Sequence, residues 1–290
     1  MGKTYSFFNQ KGGVGKTTSV INIAAVLAMN GKKVLLIDLD AQGNATSGLG
    51  IEKNENESTA YQLLVENSDP NTCIKVTTIE NLKIIPSNAH LAGAEMHLIS
   101  QEKREYILLN QLKKIEKDYD YIFLDCPPSL GLTSINALTA SSYVVIPLQC
   151  EYYALEGLGQ LLNTYQLVKK NLHSDLELGG VILTMADART NLTQQVIEEV
   201  RNYFKEKVFQ TVVPRSVKLS EAPSFGKPAV IYDPSSRGSK SYVDLAKEFL
   251  VRFGTEEDRK IFSGETKTVV QEAPATEGTG EQVPAAQTNS

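Results

Sequence analysis

The 290-residue chain has no apolar stretch long enough to cross a bilayer, which argues against an integral membrane protein. Its first residues, Met1-Gly2-Lys3-Thr4-Tyr5, lack the layout of a secretory signal and contain no twin-Arg pair. Gly2 loosely fits a myristoylation start, but the aromatic run Tyr5-Ser6-Phe7-Phe8 reads instead as a buried strand. Cysteine is scarce. Cys73, Cys126 and Cys150 are an odd number and form no CxxC pair, which argues against a disulfide framework or a zinc site. A reducing cytoplasm is the setting these absences imply. What is present is an ordinary globular balance: 41% hydrophobic and 22% charged residues, enough to build a core. The net charge of −5 is uneven, because residues 189–252 hold 11 Lys and Arg against 7 Asp and Glu. A basic stretch in an acidic chain permits a local anionic partner.

Short apolar runs recur at Val34–Ile37, Leu82–Ile85, Tyr121–Leu124, Tyr143–Ile146 and Gly180–Leu183, with briefer candidates at Val212-Val213 and Val230-Ile231. Helical patterns lie between them, at about 16–30, 103–117, 133–140, 154–171, 193–205 and 239–252. Continuous apolar strands alternating with helices predict an α/β fold, a mostly parallel twisted sheet with helices on both faces. No internal repeat is present. From Gly264 the chain carries Pro274, Pro284 and small polar residues, with no aromatic, Leu or Ile, and cannot bury enough area to offset chain entropy. The expected organisation is one globular α/β domain over 1–263 and a disordered, acidic tail over 264–290.

The first strand is followed at once by Lys11-Gly12-Gly13-Val14-Gly15-Lys16-Thr17-Thr18. This is a variant of G-x-x-x-x-G-K-[ST] in which Gln10 replaces the first glycine. Glycines let backbone N–H groups turn inward around phosphate oxygens, and the helix from Lys16 aims its positive end at them. Lys16 is expected on the β- and γ-phosphates and the Thr17 hydroxyl on Mg²⁺. Lys11 is not needed for phosphates within one subunit. It is expected to reach a phosphate bound by a neighbouring subunit, as an arginine finger does.

Three carboxylates follow apolar runs and so fall at the carboxyl ends of strands, where open α/β sheets bind ligands. Asp125, in Leu124-Asp125-Cys126-Pro127-Pro128, is expected to hold Mg²⁺ through water. Asp40 is expected to orient the attacking water, with a second candidate role at the metal. Asp38 either serves the metal site or caps a turn.

With these residues in place the sequence resembles the ParA/Soj branch of the deviant Walker-type ATPases, a P-loop NTPase-like group that also contains MinD. The resemblance covers about residues 1–253 and rests on Lys11–Thr18, Leu36–Asn44, Ile122–Pro128 and Val213–Pro223. It implies a chromosome or plasmid partition ATPase that hydrolyses ATP to ADP and phosphate with Mg²⁺. The implied intrinsic activity is weak and is stimulated by DNA and a partner. Residues Lys11 to Thr18 (Lys11, Gly12, Gly13, Val14, Gly15, Lys16, Thr17, Thr18) would bind ATP, with Pro214 and Ser216 near the adenine. Many relatives carry Asn at the position of Ser216. Two ATP-bound subunits would close face to face into a homodimer that binds double-stranded DNA without sequence preference. Arg189 and Lys218 match the DNA-contacting positions. A ParB-like centromere-binding protein would trigger hydrolysis and release. The expected location is cytoplasmic and nucleoid-associated, without a membrane anchor, because the acidic tail is unlike MinD's basic amphipathic helix. The alternatives are positioning of a protein cargo, a MinD-like role at the division site, or an iron-protein-like reductase using Cys126 and Cys150.

Overall fold

The computed structural model describes residues 2–53, 58–151 and 156–262. They fall into two compact units divided between Phe249 and Leu250. Seven strands form one sheet in the first unit: β1 (Lys3–Phe7), β2 (Val34–Asp38), β3 (Lys75–Val76), β4 (Leu82–Ile85), β5 (Tyr121–Asp125), β6 (Tyr143–Gln149) and β7 (Glu177–Thr184). Their spatial order is β3-β4-β2-β5-β1-β6-β7. All pairs are parallel except β3 with β4.

The helices are α1 (Lys16–Met29), α2 (Asn44–Gly48), α3 (Ala60–Val65), α4 (Pro70–Cys73), α5 (Ala94–Leu98), α6 (Ile107–Leu112), α7 (Leu132–Thr139), α8 (Glu156–Asn171), α9 (Asn191–Phe204), α10 (Val217–Glu221), α11 (Ala229–Tyr232), α12 (Arg237–Phe253) and α13 (Glu256–Phe262).

Strand alternation sends residues to two faces, and both are buried. Leu35, Ile37, Ile122, Leu124, Val144, Ile146, Val181 and Leu183 join one apolar cluster. On the other side Tyr5, Phe7, Tyr121 and Phe123 meet edge-on or tilted, with Phe249 of α12 lying 5.0 Å from Tyr5 and 5.5 Å from Phe123 between ring centres. Each such buried side chain contributes about 1.5–3 kcal/mol of transfer free energy. Helix α1 is buried almost all round and packs against β2 and β5, so it shows no polar face. Gly31, at φ +78°, ends its turn.

Three expectations need correction. Val230-Ile231 is not a strand but part of one-turn helix α11: Pro228 precedes it, and the N–H groups of Ile231 and Tyr232 bond back to the Pro228 carbonyl. Val212-Val213 joins no strand, although Val213 N donates to Leu183 O at 2.9 Å. The helix expected over 103–117 is broken into α6 and two short turns. Asn136 explains the break, since its amide donates to Arg104 O and its carbonyl accepts from Leu108 N.

In the second unit α13 opens with reciprocal capping. Thr255 Oγ1 accepts from Asp258 N, and Asp258 Oδ2 accepts from Thr255 N. The expected tail over 264–290 lies outside the described residues.

Candidate functional site

Register sets the site. Asp38 of β2, Asp125 of β5 and Phe7 of β1 are neighbours at one level of three adjacent parallel strands. The loop that leaves β1 therefore starts beside two carboxylates. Asn9 anchors it: Nδ2 donates to Pro147 O at 2.8 Å and Oδ1 accepts from Lys11 N at 3.0 Å. Gly13 and Gly15 take φ +73° and +84°, a backbone that L side chains rarely adopt. Thr184 of β7 closes the loop by donating to Val14 O at 2.9 Å.

Helix α1 begins after Gly15 with no side-chain cap and no acid in its first turn. Its first N–H groups are thus left for an anion. Lys16 is buried and donates to Lys11 O at 3.1 Å. Burial lowers its ammonium pKa, while Asp125, Cys126 and Asp40 pull it back up. Lys11 itself is exposed, and its side chain makes no hydrogen bond or ion pair among the described residues. Gly12 needs no left-handed backbone, and a Cβ there would come no closer than 4.0 Å, to Pro128 Cβ. Nothing among the described residues requires glycine at that position.

Asp125 is fully buried. Its Oδ2 accepts from Thr17 Oγ1 at 2.7 Å, and its Oδ1 has no partner among the described residues. Burial raises its pKa well above the usual carboxylate range, reinforced by Asp38. A dry carboxylate with one orphaned oxygen beside a threonine hydroxyl is a hard, all-oxygen donor set, and that suits Mg²⁺. Among the described residues no cluster of three or more His, Cys, Asp or Glu could hold a metal alone. Phosphate oxygens and water would have to complete such a site, as is usual for Mg²⁺.

Asp40 is half-buried, and its Oδ1 accepts from Gln42 N at 2.9 Å. It lines a cleft of about 480 Å³ with Gly12, Gly13, Gly15, Lys16, Thr17 and Thr18 on one side and Met185, Leu219, Pro223 and Lys227 on another. A second hollow of about 250 Å³ shares Gly15, Thr18, Met185, Leu219 and Pro223 with it and extends to Pro214, Arg215, Ser216 and Tyr242. Of the expected residues, Gly12, Gly13, Gly15, Lys16, Thr17 and Thr18 border the first space and Pro214 and Ser216 the second, whereas Lys11 borders neither. Val14 faces away from both, packed in the core.

Sequence reasoning missed four residues here. Asn22 of α1 lines the cleft and accepts from Val230 N at 3.1 Å, tying α1 to α11. Met185 turns at the end of β7 with φ +52° and lines both spaces. Asn9 and Thr184 fix the loop. Only the apolar pattern before Asn9 hinted at any of them.

Arg189 and Lys218 lie elsewhere, on the surface. Arg189 is 87% exposed and bidentate on Asp187. That contact depresses the Asp187 carboxyl. Lys218 bonds Glu221 at 3.0 Å and sits over the Tyr232 ring. Cys126 and Cys150 are buried free thiols with raised pKa, inert surroundings for a thiolate. Among the described residues no helix is long and apolar enough to cross a membrane.

Comparison with known proteins agrees with this chemistry. Residues 2–178 match a family model described as AAA domain. The chain is 61% identical over 248 residues to the sporulation initiation inhibitor protein Soj of Bacillus subtilis, covering 86% of this chain and 98% of that protein. It is 50% identical over 252 residues to the chromosome partitioning protein ParA of Myxococcus xanthus, covering 87% and 89%. Among solved structures it is similar to cobyrinic acid a,c-diamide synthase of Mycobacterium smegmatis with bound ADP and magnesium. That match has TM-score 0.76 and 35% identity, and covers 87% of this chain and 95% of that one.

Proposed function

Since the chain belongs to the AAA-domain family, within the Soj/ParA group of chromosome-partitioning ATPases, we propose that it is an ATP-driven switch that partitions DNA. The reaction is ATP plus water to ADP plus phosphate. The observation that carries the reading is one cleft lined by the phosphate loop, Lys16, Thr17 and Asp40, opening into the hollow at Pro214 and Ser216. The higher identity to the partition proteins, across nearly their whole length, favours this role over that of the synthase whose fold it shares.

In this reading the N–H groups of residues 12–18 and the Lys16 ammonium hold the β- and γ-phosphates. Thr17 and Asp125 supply the oxygens that would hold Mg²⁺, directly and through water. The metal, when bound, neutralises charge on the phosphate oxygens. Asp40 orients the attacking water. Catalysis of this kind is mostly positioning and electrostatics. Lys11, exposed on the loop beside Gly12, reaches the phosphates of a second subunit. Gly12 leaves room for that approach.

The closed homodimer offers Arg189 and Lys218 to DNA phosphates, with no base readout. Each must exchange its own carboxylate partner for a phosphate. Intrinsic turnover is weak and rises with DNA and a ParB-like protein, after which the dimer leaves the nucleoid. The ATPase domain spans 1–263, ahead of the tail.

The test is Asp40→Ala. Turnover should fall by about 10²–10⁴-fold, the usual worth of a positioned acid–base group. ATP binding and ATP-dependent DNA binding should persist. Normal turnover would refute the role given to Asp40.

A further inference from the structure

Asp38 does not line the cleft, yet it is fully buried two residues before Asp40, which does. Its two oxygens accept three hydrogen bonds, one from the loop at Asp40 and two from Thr46 of α2. Oδ1 takes Asp40 N at 3.1 Å. Oδ2 takes both Thr46 N and Thr46 Oγ1, each at 2.8 Å. One carboxylate thus holds both ends of residues 40–46. Thr46 Oγ1 also accepts from Ser87 N at 2.9 Å, which ties the loop to the chain after β4. The Ser87 carbonyl presses on the same loop, 2.9 Å from where a Cβ on Gly43 would stand.

We propose that Asp38, Thr46 and Ser87 form a clasp that sets the attitude of Asp40 for hydrolysis while leaving nucleotide binding alone. The inference rests on the role given to Asp40 above and adds positioning residues to it. Asp40 uses Oδ1 on Gln42 N, and its carbonyl accepts from Gly43 N at 2.8 Å. The direction of its other oxygen therefore follows the loop backbone. That backbone is pinned by Asp38 at residues 40 and 46. Thr46 is suited to its place because a hydroxyl donates to Asp38 and accepts from Ser87 at once. Valine has the same shape and does neither, and it would leave the Ser87 N–H buried without a partner. Serine does both.

The experiment uses the full chain and measures kcat and KM for ATP with saturating DNA. It also measures the affinity for a non-hydrolysable ATP analogue with Mg²⁺. Thr46→Val should lower kcat by about 10–100-fold, the cost of a misplaced catalytic group, with KM and analogue affinity within about twofold of wild type. Thr46→Ser should restore kcat to within about twofold, since the conservative change keeps both hydrogen bonds. Asp38→Asn, which sets an amide against the Thr46 donors, carries the same expectation as Thr46→Val. Wild-type kcat in Thr46→Val overturns the clasp. So does loss of fold or of analogue affinity in both Thr46→Val and Asp38→Asn, because that would mark a merely structural role. Asp40→Ala is run in parallel. If it turns over normally, the reading of Asp40 itself fails; if it stalls while Thr46→Val is unimpaired, only the clasp fails.

Discussion

Around the Gly-rich loop after β1, Lys16, Asp38 and Asp125 are buried on strand ends and a long helix, and desolvation governs their charge states. On the C-terminal third, Arg189 and Lys218 stand in solvent on short elements, and carboxylates next to them in the chain govern theirs. The first region concentrates its energy in a few dry contacts. The second spreads it over screened surface charge. Substitutions should therefore act as a switch in one region and as a graded, salt-dependent shift in the other.

The largest effect is expected at Lys16. Lys16→Ala removes a buried cation from the phosphate cradle, and nucleotide affinity should fall by about 10²-fold or more, as loss of a preorganised charged donor does. Titration with a fluorescent ATP analogue reads it. Affinity close to wild type would erase the contrast between the two regions.

A middle-sized effect is expected from Arg189→Ala with Lys218→Ala. ATP turnover without DNA should be unchanged. The slope of log affinity of the dimer for random duplex DNA against log salt should become shallower by about 4, roughly one for each phosphate no longer neutralised by the two residues of each subunit. An unchanged slope would place the DNA surface elsewhere.

The smallest effect separates the regions by pH. Burial pushes the Asp38 carboxyl up from 3.8 to about 6, ahead of the opposing hydrogen bonds from Thr46 and Asp40. A raised pKa means that the folded state holds the proton more tightly than the unfolded one. The resulting stabilisation is complete below pH about 3.8 and is lost as pH rises through about 6. The stability of wild type relative to Asp38→Asn, without nucleotide or Mg²⁺, should thus decline across that window. A flat difference would mean that Asp38 is not desolvated. The Asp187 carboxyl shifts the opposite way, so the comparison with Asp38→Asn is needed to isolate one group.

The same contrast explains what could be read from the sequence. The phosphate loop is local: Gly13, Gly15, Lys16 and Thr17 carry their geometry in their spacing. Asp38 and Asp125 were found because apolar runs announce the strands that end on them, and parallel register does the rest. The tie from Asp38 through Thr46 to Ser87 was not legible, because Ser87 is distant in sequence and meets the Thr46 hydroxyl only in the fold. The stretch from Val212 to Tyr232 misled because two adjacent β-branched residues suggest a strand. Position decided instead, with Pro228 starting a helical turn and Val213 meeting β7 at a single backbone bond. The break at Lys103, which takes φ +50° ahead of Arg104–Tyr106, follows from Asn136, again a contact across the fold.

The central claim is that bound ATP joins two copies through Lys11 across Gly12. The most direct measurement is the molar mass of the protein with a saturating non-hydrolysable ATP analogue and Mg²⁺. The account predicts a dimer for the wild type and, for Gly12→Val, a monomer that still binds the analogue. A monomeric wild type, or a dimeric Gly12→Val, would contradict it.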